Sequence, residues 1–153
     1  YTVEQSQKQM SRMEKIICDE DRIRQVVKDI ISHYEERKTQ VAGKAMIVAY
    51  SRTSAYLMYK EIIAQRPDYE NKVKMVMTTN NGDDEEMAKL IGTKKDQKKR
   101  EEEFRDLDSE FKIVIVVDMW LTGFDVPALD TMYIDKPMKA HNLMQAIARV
   151  NRV

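Results

Sequence analysis

Ile113-Val-Ile-Val-Val117, followed by Asp118, is the stretch of this sequence that decides the fold. The run is apolar and β-branched throughout, which is typical of a strand that is covered on both faces. A run this short, closed by a polar residue, fits a strand better than a helix. We therefore predict a buried central strand here and assign the rest of the chain outward from it.

Three further stretches have the same character and predict three more strands. They are Ala45-Met-Ile-Val-Ala-Tyr50, Val73-Lys-Met-Val-Met77 and Thr131-Met-Tyr-Ile134. Between the first two, apolar residues recur at helical spacing and the pattern stops near Pro67. Strands that alternate with helices imply right-handed βαβ units and a parallel sheet. The predicted fold class is therefore α/β, with a parallel sheet flanked by helices.

The first forty or so residues predict helices rather than strands. An apolar stripe at helical period indicates one helix, which Asp19 or Asp21 could cap. The stripe consists of Ile23, Val26, Val27, Ile30, Ile31 and Tyr34. Gly43 ends this pattern. We therefore divide the chain into a helical extension or interdomain segment, 1–42, and an α/β domain, 43–153.

Composition excludes several classes of function. The 153 residues carry 26 basic and 26 acidic side chains, so no net charge steers the chain towards nucleic acid or a membrane. A single cysteine, Cys18, and only two histidines give no zinc-like spacing, and we predict no metal site. No apolar run is long enough to span a membrane.

The last residues, His141-Asn-Leu-Met-Gln-Ala-Ile-Ala-Arg-Val-Asn-Arg-Val153, predict a helix with two different faces. At about 100° per residue, Leu143, Ile147 and Val150 share one face. Gln145, Arg149 and Arg152 share the opposite face at the same spacing. Guanidinium groups in register can bind phosphate oxygens. The alternative is an ordinary surface that uses its arginines in ion pairs.

Polar clusters follow three of the predicted strands, at the edge of a parallel sheet where ligands gather. The clusters are Ser51-Arg-Thr-Ser54, Thr78-Thr-Asn-Asn81, and Asp118 with Leu121-Thr-Gly-Phe-Asp-Val-Pro127. Hydroxyls, amides and an arginine suit contact with a phosphodiester backbone without base reading. Taken singly, each cluster is better explained by helix capping and turns. Three at one edge favour a binding surface.

The loop Thr122-Gly-Phe-Asp-Val-Pro127 is the most specific of these clusters. Gly123 allows a close backbone approach, and Asp125 can accept a hydrogen bond from a sugar hydroxyl or hold an arginine. The alternative is a rigid turn with a capping aspartate. No Gly-x-x-x-x-Gly-Lys-Ser/Thr phosphate loop and no acidic pair after an apolar strand occur, so the sequence predicts no nucleotide cradle of its own.

Together these motifs resemble the second RecA-like motor domain of superfamily 2 helicases and translocases. Lys44-Ala-Met-Ile-Val-Ala-Tyr-Ser-Arg52 resembles motif IV, and Val117-Asp-Met-Trp-Leu-Thr-Gly-Phe-Asp-Val-Pro127 resembles motif V. Gln145-Ala-Ile-Ala-Arg-Val-Asn-Arg152 resembles motif VI. The resemblance covers roughly 44–153, and the wording Leu-Thr-Gly-Phe-Asp is most similar to the motor subunit of type I restriction enzymes.

The resemblance implies a role for each matching residue. Arg149 and Arg152 would be arginine fingers that reach a γ-phosphate, and Gln145 would order the interdomain cleft. Gly123 and Asp125 would lie near the ribose. The residues expected to touch the DNA backbone are Ser51, Arg52, Thr78, Thr79 and Thr122. Many relatives carry Thr at position 117, Arg at 122 and glycines at 148 and 151, and these departures argue against a DEAD-box RNA helicase.

As a whole, the resemblance implies part of an ATP-dependent DNA translocase and restriction subunit. ATP and Mg²⁺ would be held mainly by a first motor domain that this sequence does not contain, so we expect the fragment alone to be inactive. The implied partners are double-stranded DNA, that first motor domain, and the modification and specificity subunits, in a bacterial or archaeal cytoplasm. The alternative is a passive DNA-binding or protein-docking module with a degenerate motor fold.

Overall fold

Four parallel strands form the centre of the domain in the computed structural model, which describes residues 12–40, 43–78, 82–117 and 129–136. The strands are β1 (Lys44–Ala49), β2 (Val73–Val76), β3 (Ile113–Val116) and β4 (Leu129–Asp135). Their order across the sheet is β2-β3-β1-β4, and all three pairings are parallel. The predicted α/β class and parallel sheet are confirmed, with β3 in the interior of the sheet between β1 and β2.

The helices lie between the strands, as the alternating pattern predicts. They are α1 (Glu20–Lys38), α2 (Arg52–Gln65), α3 (Glu85–Ile91) and α4 (Lys94–Arg105), and a 3₁₀ turn covers Pro67–Tyr69. Residues 12–17 are helical as well. Asp19, one of the two predicted caps, accepts a hydrogen bond from the backbone N–H of Arg22 at 3.1 Å. Capping boxes begin α2 and α4, which stop orphan N–H groups from being left unpaired.

Successive residues of the interior strands belong to different cores, because strand side chains alternate between the faces of the sheet. On one face, Ala45, Ile47 and Ala49 of β1 pack with apolar residues of α1, α2 and α3. On the other face, Met46 and Val48 pack in a second cluster with the buried ring of Phe104 from α4. The uninterrupted apolar runs therefore reflect burial on both faces.

Helix α1 is attached to the edge strand β4 as well as to this core. Nε of Arg37 donates to the Asp130 carboxylate at 2.7 Å, and Arg22 forms an ion pair with Asp135. Between them, Nδ1 of His33 lies 2.7 Å from the hydroxyl of Tyr133. The structure thus joins residues 20–38 to the sheet, while the division into segments 1–42 and 43–153 of a longer protein stays a prediction.

The outer margin of β2 is covered by side chains of α4. The carbonyl of Lys72 accepts from the N–H of Ile113, so the carbonyls of alternate residues, including Met75, point away from β3. Nη1 of Arg100 donates to the Met75 carbonyl at 2.9 Å, and Gln97 donates to the next outward carbonyl at 2.5 Å. Helix α4 therefore satisfies edge carbonyls that another strand could otherwise pair with.

Lys44, the first residue of β1, is buried although it carries a basic side chain. Its ammonium donates to the carbonyls of Glu103 and Asp106 at 3.0 and 2.5 Å, where α4 ends, and to the hydroxyl of Ser109 at 2.8 Å. Burial, followed by the nearby charge of Lys112, lowers its pKa to about 8. No helix in the described parts of the chain is long and apolar enough to cross a membrane.

Candidate nucleic-acid interface

Three of the predicted site residues lie at one edge of the sheet. Ser51 and Arg52 follow β1, and Thr78 follows β2, so all three stand beyond the carboxyl ends of parallel strands. The other predicted site residues lie outside the described residues. They are Thr79, Thr122, Gly123, Asp125, Gln145, Arg149 and Arg152. The described part of the edge therefore contains the end of the stretch that resembles motif IV and the start of the cluster that follows β2.

Ser51 positions the start of α2 and is itself held in place. It is the N-cap, and its hydroxyl oxygen accepts from the backbone N–H of Ser54 at 3.1 Å. Its own N–H donates to the Ser54 hydroxyl at 2.8 Å. The Ser51 hydroxyl donates to a carboxylate oxygen of Glu14 at 2.7 Å. Ser51 thus does the capping that its residue type favours and also connects the edge to the helical turn at 12–17.

Arg52 joins the ends of β1 and β2 across the end of β3. Its Nη1 donates to the backbone carbonyl of Thr78, and its Nη2 donates to the Asp83 carboxylate, with 2.5 Å to Oδ1. The Asp83 side chain is 7% exposed and that of Arg52 is 25% exposed. The polar clusters that follow β1 and β2 are therefore brought into direct contact, although β1 and β2 are not neighbours in the sheet.

Sequence reasoning missed Asp83. It lies in the acidic run Asp83-Asp-Glu-Glu86, which is too far from an apolar strand to resemble a magnesium-binding pair. The neighbouring Asp84 is the N-cap of α3 and accepts from the N–H of Met87 at 2.7 Å. The run thus contains one capping residue and one arginine partner. The local signal in the sequence is a pair of adjacent aspartates before a short helix. Since one of them is the N-cap, the other has a different partner.

The thiol of Cys18 lies next to Ser51 and is unreactive. Its Sγ donates to a carboxylate oxygen of Glu14 at 3.6 Å. Burial, followed by the charge of Glu14, raises the pKa of the thiol to about 11. A thiol that stays protonated near neutral pH is a poor nucleophile. Cys18 therefore supplies packing here rather than chemistry.

A second contact joins α2 to α3, the helix that follows β2. Tyr56 is buried, and its pKa is raised to about 12 by burial and by its hydrogen bond with Glu86.

Within the described ranges, no group of three or more His, Cys, Asp or Glu side chains could hold a metal ion. The groups at the described edge that can donate to a polyanion are therefore one arginine and the serine and threonine hydroxyls, beside the carboxylates of Glu14 and Asp83.

The parallel sheet, its helical layers and the polar edge beyond the strand ends define a RecA-like α/β domain. The fold is similar to that in the crystal structure of the Pyrococcus furiosus Hef helicase domain, with a TM-score of 0.57 and 21% identity over 86% of this chain and 23% of that chain. More particularly, the chain belongs to the family described as type I restriction enzyme subunit R domain 3, whose model matches residues 1–153.

Curated relatives agree with this family. The chain is 49% identical over 153 residues to a putative type I restriction enzyme MjaIXP endonuclease subunit of Methanocaldococcus jannaschii, covering 99% of this chain and 14% of that protein. It is 45% identical over 146 residues to the type I restriction enzyme HindI endonuclease subunit of Haemophilus influenzae, covering 92% of this chain and 14% of that protein. The chain thus spans about one seventh of the length of these relatives.

Proposed function

We propose that this chain is the second motor domain of the ATP-dependent DNA translocase and restriction subunit of a type I restriction-modification enzyme. The observation that carries the proposal is the contact of Arg52 with the Thr78 carbonyl, which joins two polar clusters into one surface at the ligand-binding edge of the sheet. The family of the chain and the RecA-like fold support the same function.

In this proposal the carboxyl edge binds the DNA backbone. Ser51, Arg52 and Thr78, together with Thr79 and Thr122, contact phosphates and sugars without reading bases. Thr78 is exposed, and the Arg52 guanidinium is within reach of solvent. Backbone contacts of this kind fit a protein that moves along DNA of any sequence, since phosphates carry no sequence information. Recognition of the target sequence is then left to the specificity subunit.

Residues 141–153, which the sequence predicts to be helical, complete an ATP site that this chain does not contain by itself. Arg149 and Arg152 stabilise the γ-phosphate during hydrolysis, Gln145 orders the cleft, and Gly123 with Asp125 lies near the ribose. ATP and Mg²⁺ are held mainly by the first motor domain, because this sequence has no phosphate loop. No described residue is assigned to Mg²⁺, since none lies in a suitable cluster. The chain alone is expected to hydrolyse no ATP.

Substitution of the proposed finger in the full-length subunit tests this function. An arginine finger contributes roughly 10³- to 10⁵-fold to the rate of hydrolysis, so Arg149→Ala should reduce DNA-stimulated ATP turnover by a factor of that order. Arg24→Ala is the matched control, because Arg24 is an exposed arginine that pairs with Glu20 on α1. Near-normal turnover in Arg149→Ala would contradict the proposal.

DNA binding by the 153-residue chain separates this proposal from a passive module. A lone motor domain should bind duplex DNA weakly, because the first motor domain supplies the rest of the DNA-binding cleft. Tight binding by the chain alone, measured over a series of salt concentrations, would instead favour a DNA-binding module with a degenerate motor fold.

A further inference from the structure

We proposed above that Arg52 binds a DNA phosphate. In this structure its guanidinium is instead hydrogen-bonded to the carboxylate of Asp83. Its Nη2 donates to both carboxylate oxygens of Asp83. Arginine binds carboxylates and phosphates through the same planar fork of N–H donors. The side chain of Asp83 and a DNA phosphate therefore compete for the same atoms of Arg52.

We propose that Asp83 is an intramolecular substitute for a DNA phosphate: it holds Arg52 while the edge is empty, and Arg52 exchanges it for the DNA backbone when a strand is bound. This inference rests on the proposed function, because it assumes that DNA binds at this edge. It adds a positioning residue, Asp83, that sets how tightly the domain holds DNA.

The geometry allows this exchange. Nη1 of Arg52 donates to the Thr78 carbonyl, which keeps the guanidinium at the strand ends whether or not Nη2 is bound to Asp83. The Arg52 side chain is one quarter exposed, so a phosphate can approach it. Among the described residues, apart from its chain neighbours, nothing lies within 4 Å of the position of a Cβ added at Gly82, directly before Asp83. The Asp83 carboxylate is itself only 7% exposed, so its exchange for a phosphate requires a backbone shift, and at Gly82 such a shift meets no packed side chain on that side.

A static tie is the competing explanation, and it predicts the opposite effect on DNA binding. If the pair of Arg52 and Asp83 only braces the edge, removal of the carboxylate loosens the surface and weakens DNA binding. If Asp83 competes with DNA, removal of the carboxylate frees Arg52 and strengthens DNA binding. The sign of the change in affinity decides between these explanations.

The test measures duplex DNA binding by the full-length subunit and its Asp83→Asn variant. We expect the dissociation constant to fall about tenfold at moderate salt, the size of one charge-assisted hydrogen bond. The gain should disappear when Arg52→Gln is combined with Asp83→Asn. Asp84→Asn is the matched control: it makes the same charge change one residue away, and Asn retains the N-cap of α3.

Three outcomes would overturn the inference. One is an Asp83→Asn variant with an unchanged melting temperature and equal or weaker DNA binding. Another is tighter binding that persists with Arg52→Gln, and the third is equal tightening in Asp84→Asn, since both would indicate a general loss of negative charge. Failure of the proposed function is distinct, because there the wild-type subunit itself would bind no DNA.

Hydrogen exchange of the wild-type subunit tests the same inference without any substitution. Release of Asp83 predicts faster amide exchange at residues 82–84 when duplex DNA is bound. This measurement also covers the case in which Asp83→Asn does not fold. Unchanged or slower exchange at these residues in the DNA complex would overturn the inference.

Discussion

The ammonium nitrogen of Lys44 lies 2.8 Å from the hydroxyl oxygen of Ser109, with the Lys44 side chain buried where α4 ends. The ammonium also donates to the carbonyls of Glu103 and Asp106, which accept in addition from the backbone N–H groups of Asp106 and Ser109 where the helix ends. A cation suits the negative end of the helix dipole, although burial disfavours its charge. Lys44 therefore couples the stability of the domain to pH.

This coupling has a definite sign. The pKa of Lys44 falls from its ordinary value of 10.5 to about 8 in the folded chain, so between these values the unfolded chain binds more protons. The contribution of Lys44 to the free energy of unfolding should therefore rise from pH 8 towards pH 10.5. Lys44→Met should lose this contribution, so its deficit relative to the wild type should widen over that range in urea denaturation of the 153-residue chain.

Lys60→Met is the control for this pH experiment, because Lys60 is exposed on α2. Its difference from the wild type should stay nearly constant from pH 7 to pH 10. Parallel pH profiles for the wild type and Lys44→Met would contradict the assigned pKa shift.

The attachment of α1 to the sheet predicts different effects for two isoleucines. Ile23 is 3% exposed in the core, whereas Ile16 is 61% exposed in the preceding helical turn. Ile23→Ala should lower the free energy of unfolding of the chain by about 2–5 kcal/mol, through lost burial and the cavity left behind. Ile16→Ala should change it by less than about 0.5 kcal/mol. Equal effects would show that α1 does not pack on this sheet in solution.

Cys18 should react slowly with thiol reagents. With a pKa of about 11, its thiolate fraction at pH 8 is roughly 10⁻³, about a hundredfold below that of an ordinary thiol. Alkylation by iodoacetamide, followed by mass spectrometry of the Cys18 peptide, should therefore be about a hundredfold slower in the folded chain than in urea. Glu14→Gln should recover only part of the rate, since burial is the larger cause. Equal rates in the folded and unfolded chain would contradict the assignment.

Because side chains of α4 cover the outer edge of β2, we expect the loss of one of them to promote aggregation. Arg100→Met removes the donor to the carbonyls of Met75 and Ile91, so the outward edge of β2 is left partly unpaired. Light scattering of the variant should rise on mild heating, before unfolding is complete. Lys99→Met provides the control, because Lys99 is exposed on the same helix and makes the same chemical change. Equal scattering by the two variants would contradict a protective role for Arg100.

The main features of the fold could be predicted because they depend on local patterns. β-Branched runs such as Ile113–Val116 identify strands that are buried on both faces, and Asp19 has the side chain that an N-cap needs. In α4, a guanidinium nitrogen of Arg105 lies 3.1 Å from a carboxylate oxygen of Glu101, four positions earlier, as helix geometry favours. Arg100 also stands four positions after an acidic residue, Asp96, yet it donates to backbone carbonyls of β2 and α3. The partners of Arg100 were therefore determined by contacts with other elements of the fold, which helical spacing alone does not specify.

The arrangement of the site was harder to predict because its partners are distant in the sequence. Arg52 and Asp83 are separated by 31 positions, and no periodic pattern connects them. Lys44 is the first residue of an apolar strand, and nothing in the sequence indicates that it binds the carbonyls at the end of α4. Residue type correctly placed Ser51, Arg52 and Thr78 at one edge, whereas their hydrogen bonds depend on how the chain closes. The roles proposed for residues 141–153 stay predictions.

The side chains of α4 that cover β2 also protect this side of the sheet from pairing. Arg100 and Gln97 occupy two outward carbonyls that a strand added beside β2 would need. Such a strand could join the sheet there only by displacing both side chains. Extension of the sheet beside β2 therefore carries a cost that the new backbone hydrogen bonds would have to offset.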